Sequence, residues 1–148
     1  MILILIILSS CSDKTVEESH GPAGLPIRGT WKLLTGTTIE NGDTSVTSYT
    51  RDLSFIKIIN DSHFAFLMHG LPDGNDSLAF SAGGGPYTLK DSLYTEHLEY
   101  CSDRAWEGND FSFIVTIKND TLTQRGIEKV AGAGVDRMNI ERYVRLDH

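Results

Sequence analysis

The chain has 148 residues, of which 40% are hydrophobic, and a formal net charge of −7. This length supports one domain with a single core and leaves no room for a second, and the hydrophobic content is that of a folded protein rather than a disordered one. The acidic balance disfavours nucleic acid as a partner, because phosphate backbones repel negative charge and no cluster of Lys and Arg offsets it.

Residues 1–8 are all apolar, and Ser9, Ser10 and Cys11 follow them. The run is much shorter than the ~20 apolar residues of a membrane-spanning helix, but it fits the apolar region of a secretory signal that ends in small residues. Leu8-Ser9-Ser10-Cys11 resembles the bacterial lipobox. The resemblance implies that the Cys11 thiol is acylated, with chains such as palmitate, and that Cys11 becomes the N-terminus. No Lys or Arg precedes the apolar run, so the usual positive region is missing, and a buried N-terminal strand is the alternative.

Residues 12–28 are mostly polar. They include two prolines and two glycines, and four charged residues precede Gly21. This composition is typical of a flexible tether. We therefore predict a signal peptide at 1–10, a lipidated cysteine and tether at 11–28, and a folded, monomeric domain at 29–148. The lipid on Cys11 would attach this domain to a membrane of the cell envelope. Ser12-Asp13, with Glu17 and Glu18 nearby, resembles the acidic signal of some surface lipoproteins, which favours the outer membrane or the cell surface.

From Gly29 onward, short β-branched and aromatic runs alternate with turn signals such as Asn41-Gly42, Asn60-Asp61 and Asn119-Asp120. The predicted strands are 30–35, 53–59, 63–69, 78–81, 87–90, 93–101, 111–118, 121–126 and 140–146, and only 126–139 has room for a short helix. Strands at this spacing, joined by tight turns, indicate an all-β fold. We predict an antiparallel up-and-down barrel of eight to nine strands, because closure removes exposed sheet edges. Such a barrel has an interior large enough for one small ligand.

Strand alternation and turn position predict which side chains share a face. The first strand would place Trp31, Leu33, Thr35, Thr37 and Ile39 on one face. A two-residue loop at Asn60-Asp61 would set Phe55 opposite Phe66 and Leu53 opposite Met68. A similar loop at Asn119-Asp120 would set Gln124 opposite Val115, on the apolar face of strand 111–118. Gln124 would then be an inward amide that needs a hydrogen-bond partner.

Gly29-Thr30-Trp31 resembles the Gly-x-Trp opening of lipocalins and related calycin barrels. The runs 83–89, 93–100 and 113–123 are similar to small lipocalin-like lipoproteins of bacterial envelopes. The resemblance implies that Trp31 plugs the closed end of the barrel and that an Arg of the last strand, Arg142 or Arg145, stacks on it through a cation–π contact. It also implies that the interior binds a small, mostly apolar molecule.

Strand 93–101 carries the candidate polar groups of the interior. Tyr94, Glu96, Leu98 and Tyr100 share one face, while Thr95, His97, Glu99 and Cys101 share the other. We predict that the first face points inward because it is the more apolar one, and the alternative places His97 and Glu99 in the lumen. The candidate ligand-contacting residues are Glu96, His97, Glu99, Tyr100, Gln124 and Arg142.

An ionisable group in the lumen has two interpretations, and the sequence leaves both open. It either orients a mostly apolar ligand or is satisfied by a neighbouring side chain and only anchors the barrel. The same residues keep an enzyme alternative open, a barrel isomerase or cyclase that uses Glu96 or the His97/Glu99 pair as acid–base groups. A third alternative is a structural or interaction lipoprotein whose barrel is filled by Phe55, Phe66, Phe111 and Phe113.

Motifs of other chemistries are missing from the sequence. His97, Glu99 and Cys101 have metal-ligand side chains at alternate positions, but no second ligand cluster accompanies them, so we expect no metal. The glycine runs lack the Lys-Ser or Lys-Thr of a phosphate loop, and there is no Gly-x-Ser-x-Gly, so we assign no cofactor and no catalytic residue. Lipid on Cys11 would leave Cys101 without a disulfide partner in the chain, because these are the only cysteines.

Overall fold

The structure is a computed structural model that describes residues 25–146, and it is almost entirely β. Its strands are β1 (Gly29–Glu40), β2 (Asp43–Ser48), β3 (Leu53–Ile59), β4 (His63–Gly70), β5 (Phe80–Lys90), β6 (Leu93–Leu98), β7 (Tyr100–Cys101), β8 (Asn109–Lys118), β9 (Thr121–Val130) and β10 (Val135–Arg145). Among these residues, no helix is long and apolar enough to cross a lipid bilayer. The predicted all-β fold is therefore confirmed.

Eight of the strands form a closed antiparallel barrel. The order around the wall is β10-β9-β8-β6-β5-β4-β3-β1, and β10 pairs with β1 to close the ring. The two extra strands are β2, which pairs with the second half of β1, and β7, which pairs with β5. Neighbours in the wall are mostly neighbours in sequence, because tight hairpins connect them, as the turn signals predicted.

Two segments contain more strand than the sequence indicated. Gly83, Gly84 and Gly85 lie inside β5 rather than between two short strands. A Cβ atom on Gly84 would lie 2.5 Å from the carbonyl oxygen of Phe64 on β4, so only glycine allows this close approach. Residues 126–139, which had room for a short helix, are instead mostly strand, because β9 extends to Val130 and β10 begins at Val135, with a short 3-10 turn at Ala131–Ala133 between them.

The β8–β9 register follows the prediction, with Gln124 opposite Val115, whereas the β3–β4 register does not. Phe55 pairs with Met68 rather than Phe66. The loop is displaced by one residue because the Asn60 carboxamide accepts the backbone N–H groups of Ser62 and His63, at 2.9 and 2.7 Å. The resulting shift of two residues preserves the faces, so Phe55 and Phe66 still stack as diagonal neighbours, with ring centroids 5.6 Å apart.

β-Bulges in two strands reverse the predicted alternation. In β1, Leu33 pairs with Tyr143 but Thr35 pairs with Arg142, so β1 contains one extra residue there. Beyond this bulge Gly36 and Thr38 line the lumen instead of Thr35, Thr37 and Ile39. The expectation that these three side chains share the face of Trp31 was therefore wrong.

The second bulge is at Glu99. Glu96 pairs with Tyr87, whereas Tyr100 pairs with Gly84, so four steps along one strand match three along the other. The side chain of Tyr100 consequently points outward and is 69% exposed, while Cys101 lines the lumen. The two bulges decide which side chains reach the interior near one end of the barrel.

The opposite end of the barrel is closed by the aromatic core. Trp31 and Tyr143 are completely buried there, and the Trp31 indole N–H donates to the Ile27 carbonyl at 2.7 Å. The guanidinium carbon of Arg145 lies 4.1 Å from the Trp31 ring centroid. Gly29 has a φ of 132°, and a Cβ there would lie 2.6 Å from the Arg145 guanidinium, so glycine is required in front of this stack.

Candidate ligand-binding cavity

The lumen contains a cavity of about 460 Å³, to which every strand contributes. Its lining side chains and backbone belong to Gly36, Thr38, Thr47, Tyr49, Phe55, Lys57, Phe66, Met68, Ser81, Glu96, Leu98, Cys101, Asp103, Trp106, Phe111, Phe113, Gln124, Glu128, Arg137, Asn139 and Glu141. Away from the two bulges, inward positions occur at every second residue of a strand, as the pleat requires. The cavity therefore combines aromatic walls with several buried polar groups.

Aromatic rings form two groups on the wall. Tyr49 meets Phe55 edge-to-face at 5.7 Å, and Phe55 stacks on Phe66. The other group pairs Trp106 with Phe111, at 5.7 Å between ring centroids. These rings line the cavity.

Lys57 and Glu96 form an ion pair in the interior. The Lys57 ammonium is 2.6 Å from Glu96 Oε1, and both side chains are at least nine-tenths buried. The same ammonium donates to Gln124 Oε1 at 3.2 Å and lies 5.3 Å from the centroid of the Tyr143 ring. Burial raises the pKa of the Glu96 carboxyl, and the positive charge of Lys57 opposes that shift. Each partner needs the other, because an isolated buried charge is costly.

Glu141 is held by neutral donors. The Gln124 carboxamide donates to Glu141 Oε2 at 2.6 Å, and the Tyr143 hydroxyl donates to the same oxygen at 2.8 Å. Burial, and then the negative charge of Glu141, raise the pKa of Tyr143 well above its ordinary value. This network connects to the ion pair through Gln124, so one chain of hydrogen bonds crosses the lumen from Lys57 to Tyr143.

A second polar cluster is formed by Glu128, Arg137 and Asn139. Arg137 contacts Glu128 Oε2 at 2.8 Å, and the Asn139 carboxamide donates to Glu128 Oε1 at 2.6 Å. The guanidinium of Arg137 lies 5.7 Å from the Trp106 centroid, where it makes a cation–π contact. Burial and the charge of Glu141 raise the pKa of Glu128, and Arg137 lowers it. Both oxygens of this carboxylate are therefore satisfied.

Tyr94 has the one buried side-chain polar atom without a hydrogen-bond partner in residues 25–146. Its hydroxyl is close enough to Glu96 for the carboxylate charge to add to the effect of burial, and both raise the pKa of Tyr94. The two groups do not meet hydrogen-bond geometry. An unsatisfied buried hydroxyl has a free-energy cost.

The structure distributes the candidate residues between two sides of the wall. Glu96 and Gln124 line the lumen. His97 lies on the outer side, where its Nδ1 is 2.8 Å from Asp110, and Glu99, Tyr100 and Arg142 are exposed. Of the two Arg candidates for the stack on Trp31, Arg145 is the one in contact.

The bulge at Glu99 also separates the candidate metal-ligating side chains of this strand, because Cys101 points inward while His97 points outward. Within the described part of the chain, no three His, Cys, Asp or Glu side chains are arranged to hold a metal ion.

Sequence reasoning missed most of the polar lining, namely Lys57, Glu128, Arg137, Asn139 and Glu141. A signal for Lys57 was available, because alternation places it on the face of Phe55 and Ile59. Glu141 likewise shares a face with Tyr143, two residues further along the strand. For Arg137 and Asn139 no comparable signal existed, since their segment was not recognised as a strand.

No protein-family model matches the chain, and a search of curated proteins also returned no match.

Proposed function

We propose that this protein is a lipid-anchored lipoprotein of the cell envelope whose lipocalin-like barrel binds a small, mostly apolar molecule in its lumen. The observation that carries the proposal is the cavity of about 460 Å³ inside the closed barrel. Ligand sites typically have volumes of about 300–1,000 Å³, apolar walls and a few placed polar groups. The aromatic walls and the charged groups beside them fit this description.

The polar groups support a preformed site. Lys57 is paired with Glu96, and Arg137 is paired with Glu128, so these charges need no ligand to be satisfied. A cavity whose lining is already held in place loses little conformational entropy when a ligand enters. The four phenylalanines that would fill the barrel of a purely structural lipoprotein line the cavity instead.

The lipocalin-like assignment is supported by the closed end of the barrel. Gly29 opens β1 with a positive φ, Trp31 plugs the core, and Arg145 stacks on its ring. This is the arrangement that the Gly-x-Trp resemblance implied.

The proposed lipid anchor on Cys11 and the signal peptide lie outside the described residues. Ile27 is buried at the closed end, and the carbonyl groups of Pro26 and Arg28 accept hydrogen bonds from Arg145. The tether would therefore join the barrel at its closed end. The part of β1 that lines the cavity is toward the opposite end. In this arrangement the anchor does not compete with a ligand for the cavity.

Binding of the neutral dye N-phenylnaphthylamine tests the lumen, because its fluorescence rises when it enters an apolar site. We expect saturable binding that Met68→Trp abolishes, since Met68 lines the cavity. Leu67→Trp is the matched control. Leu67 is next to Met68 in the chain, but its side chain is 44% exposed on the outer face, so this variant should leave dye affinity unchanged. Failure of the wild type to bind, or equal effects of the two variants, would contradict the proposed lumen site.

A further inference from the structure

Inward carboxylates outnumber inward cations in the cavity lining. The lining includes Glu96, Glu128 and Glu141 on the barrel strands, whereas its cations are Lys57 and Arg137. Asp103, near Trp106, adds a further negative charge, and its side chain accepts the backbone N–H of Ala105. Each cation is already bound to a carboxylate, so neither is available to neutralise another group.

Of the three glutamates that line the cavity, Glu141 is the one that has no cationic partner in residues 25–146. Both of its hydrogen bonds, from Gln124 and Tyr143, are accepted by Oε2. Oε1 accepts none from the described residues, and it is not among their fully buried unsatisfied atoms. A carboxylate oxygen can accept two hydrogen bonds. Oε1 therefore presents open acceptor capacity on a side chain that lines the cavity.

Aromatic rings lie close to this carboxylate. The ring of Tyr143, which donates to Glu141, is 6.3 Å from that of Phe55, and Phe55 contacts Tyr49. After burial, the charge of Glu141 is the main influence that raises the pKa of Tyr49. A cation near Glu141 would thus meet a carboxylate, and it would be attracted further wherever it lies over the face of a neighbouring ring.

We propose that the ligand is a small molecule with an apolar, ring-sized body and a protonated amine, and that the ammonium group binds Glu141 Oε1. This inference rests on the proposed lumen site and specifies its ligand class. An anionic ligand would instead place its charge among carboxylates whose neighbouring cations are already occupied. Like charges in a partly desolvated site repel more strongly than in water.

Three probes with the same apolar body test the sign of the preferred charge: naphthylmethylamine, naphthalenemethanol and naphthaleneacetate. Calorimetric titration at neutral pH and low salt should give the amine the highest affinity. We expect it to exceed the alcohol by about tenfold or more, as a charge-assisted hydrogen bond implies. The acetate should bind most weakly. This comparison uses the wild-type protein, so it does not depend on the folding of a variant.

Glu141→Gln then assigns the preference to one residue. It should abolish the difference in affinity between the amine and the alcohol, whereas Glu40→Gln on the exposed end of β1 should preserve that difference. Equal binding of amine and acetate, or an amine preference that survives Glu141→Gln in a folded variant, would overturn this inference. Binding of the alcohol that Met68→Trp abolishes would still leave the lumen site itself supported. If no probe and no dye binds, the proposed function fails, and this inference fails with it.

Discussion

The guanidinium of Arg145 lies on the face of the Trp31 indole ring, 4.1 Å from its centre, and ties both ends of the described chain together. Its two terminal nitrogens donate to the carbonyl groups of Arg28 and Pro26, each at 2.7 Å. The planar fork of arginine allows these contacts to be made at once, which a lysine could not reproduce. One side chain of β10 thus holds the segment that leads into β1 over the closed end of the barrel.

Trp31→Ala should lower the free energy of unfolding by about 3–5 kcal/mol, the usual cost of emptying a large buried aromatic site. The ring is completely buried, and its removal also deprives Arg145 of its stacking partner. Equilibrium denaturation in urea measures the change. As a control, Arg142→Ala on the outer face of β10 should have little effect. A small change in Trp31→Ala would mean that the indole does not support the closed end.

Tyr94→Phe and Tyr143→Phe should have opposite effects on stability. The Tyr94 hydroxyl has no hydrogen-bond partner in residues 25–146, so its removal should raise the free energy of unfolding by about 1 kcal/mol. The Tyr143 hydroxyl donates to Glu141, and its loss should lower that free energy by about 1.5–3 kcal/mol. Denaturation of both variants under the same conditions checks this. A loss of stability in Tyr94→Phe would instead indicate that its hydroxyl donates to Glu96.

Glu96→Gln should destabilise the domain by about 3–5 kcal/mol, because it leaves the buried Lys57 ammonium without a counter-charge. The double variant Lys57→Met with Glu96→Gln should recover much of this loss, since no unpaired charge remains. Denaturation of the two single variants and the double variant gives the coupling energy. If Glu96→Gln instead weakens dye binding while stability is unchanged, Glu96 orients a ligand rather than anchoring the barrel.

Stability should fall as pH rises above about 4.5, the ordinary pKa of a glutamate. Burial, followed by the charge of Glu141, raises the pKa of Glu128 in the folded state. The folded protein therefore retains this proton more tightly than the unfolded chain. The resulting stabilisation is complete below the unfolded pKa and is lost as pH rises through the folded pKa. Glu128→Gln should reduce this slope, by at most about 1.4 kcal/mol per pH unit, and the exposed Glu40→Gln should not. An unchanged slope in Glu128→Gln would contradict the assignment.

Cys11→Ala should release the protein from the membrane fraction, because the proposed acyl chains supply the membrane affinity. Metabolic labelling with a fatty acid, followed by fractionation, measures both lipid and location. Cys101→Ala is the matched control and should keep label and anchoring. Label that persists in Cys11→Ala would refute lipidation at this residue.

The sequence alone was sufficient to predict the all-β barrel and much of its wall. Turn signals such as Asn119-Asp120 and clean alternation in β8 depend on local backbone preferences and on burial of one face, and both are readable from neighbouring residues. These features correctly placed Gln124 opposite Val115 and inside the barrel. The same alternation placed Glu96 on the buried face of β6.

The composition of the cavity was decided only by tertiary structure. The bulges in β1 and at Glu99 arise where two strands of unequal residue count are paired, and each bulge moves every later side chain to the other face. Tyr100 was therefore expected inside and lies outside. The partners of Glu96 and Glu141 come from strands far apart in the chain, so no local pattern could show that Lys57 neutralises the first while the second has only neutral donors. Local preferences determine the strands, but closure of the barrel determines which charges meet.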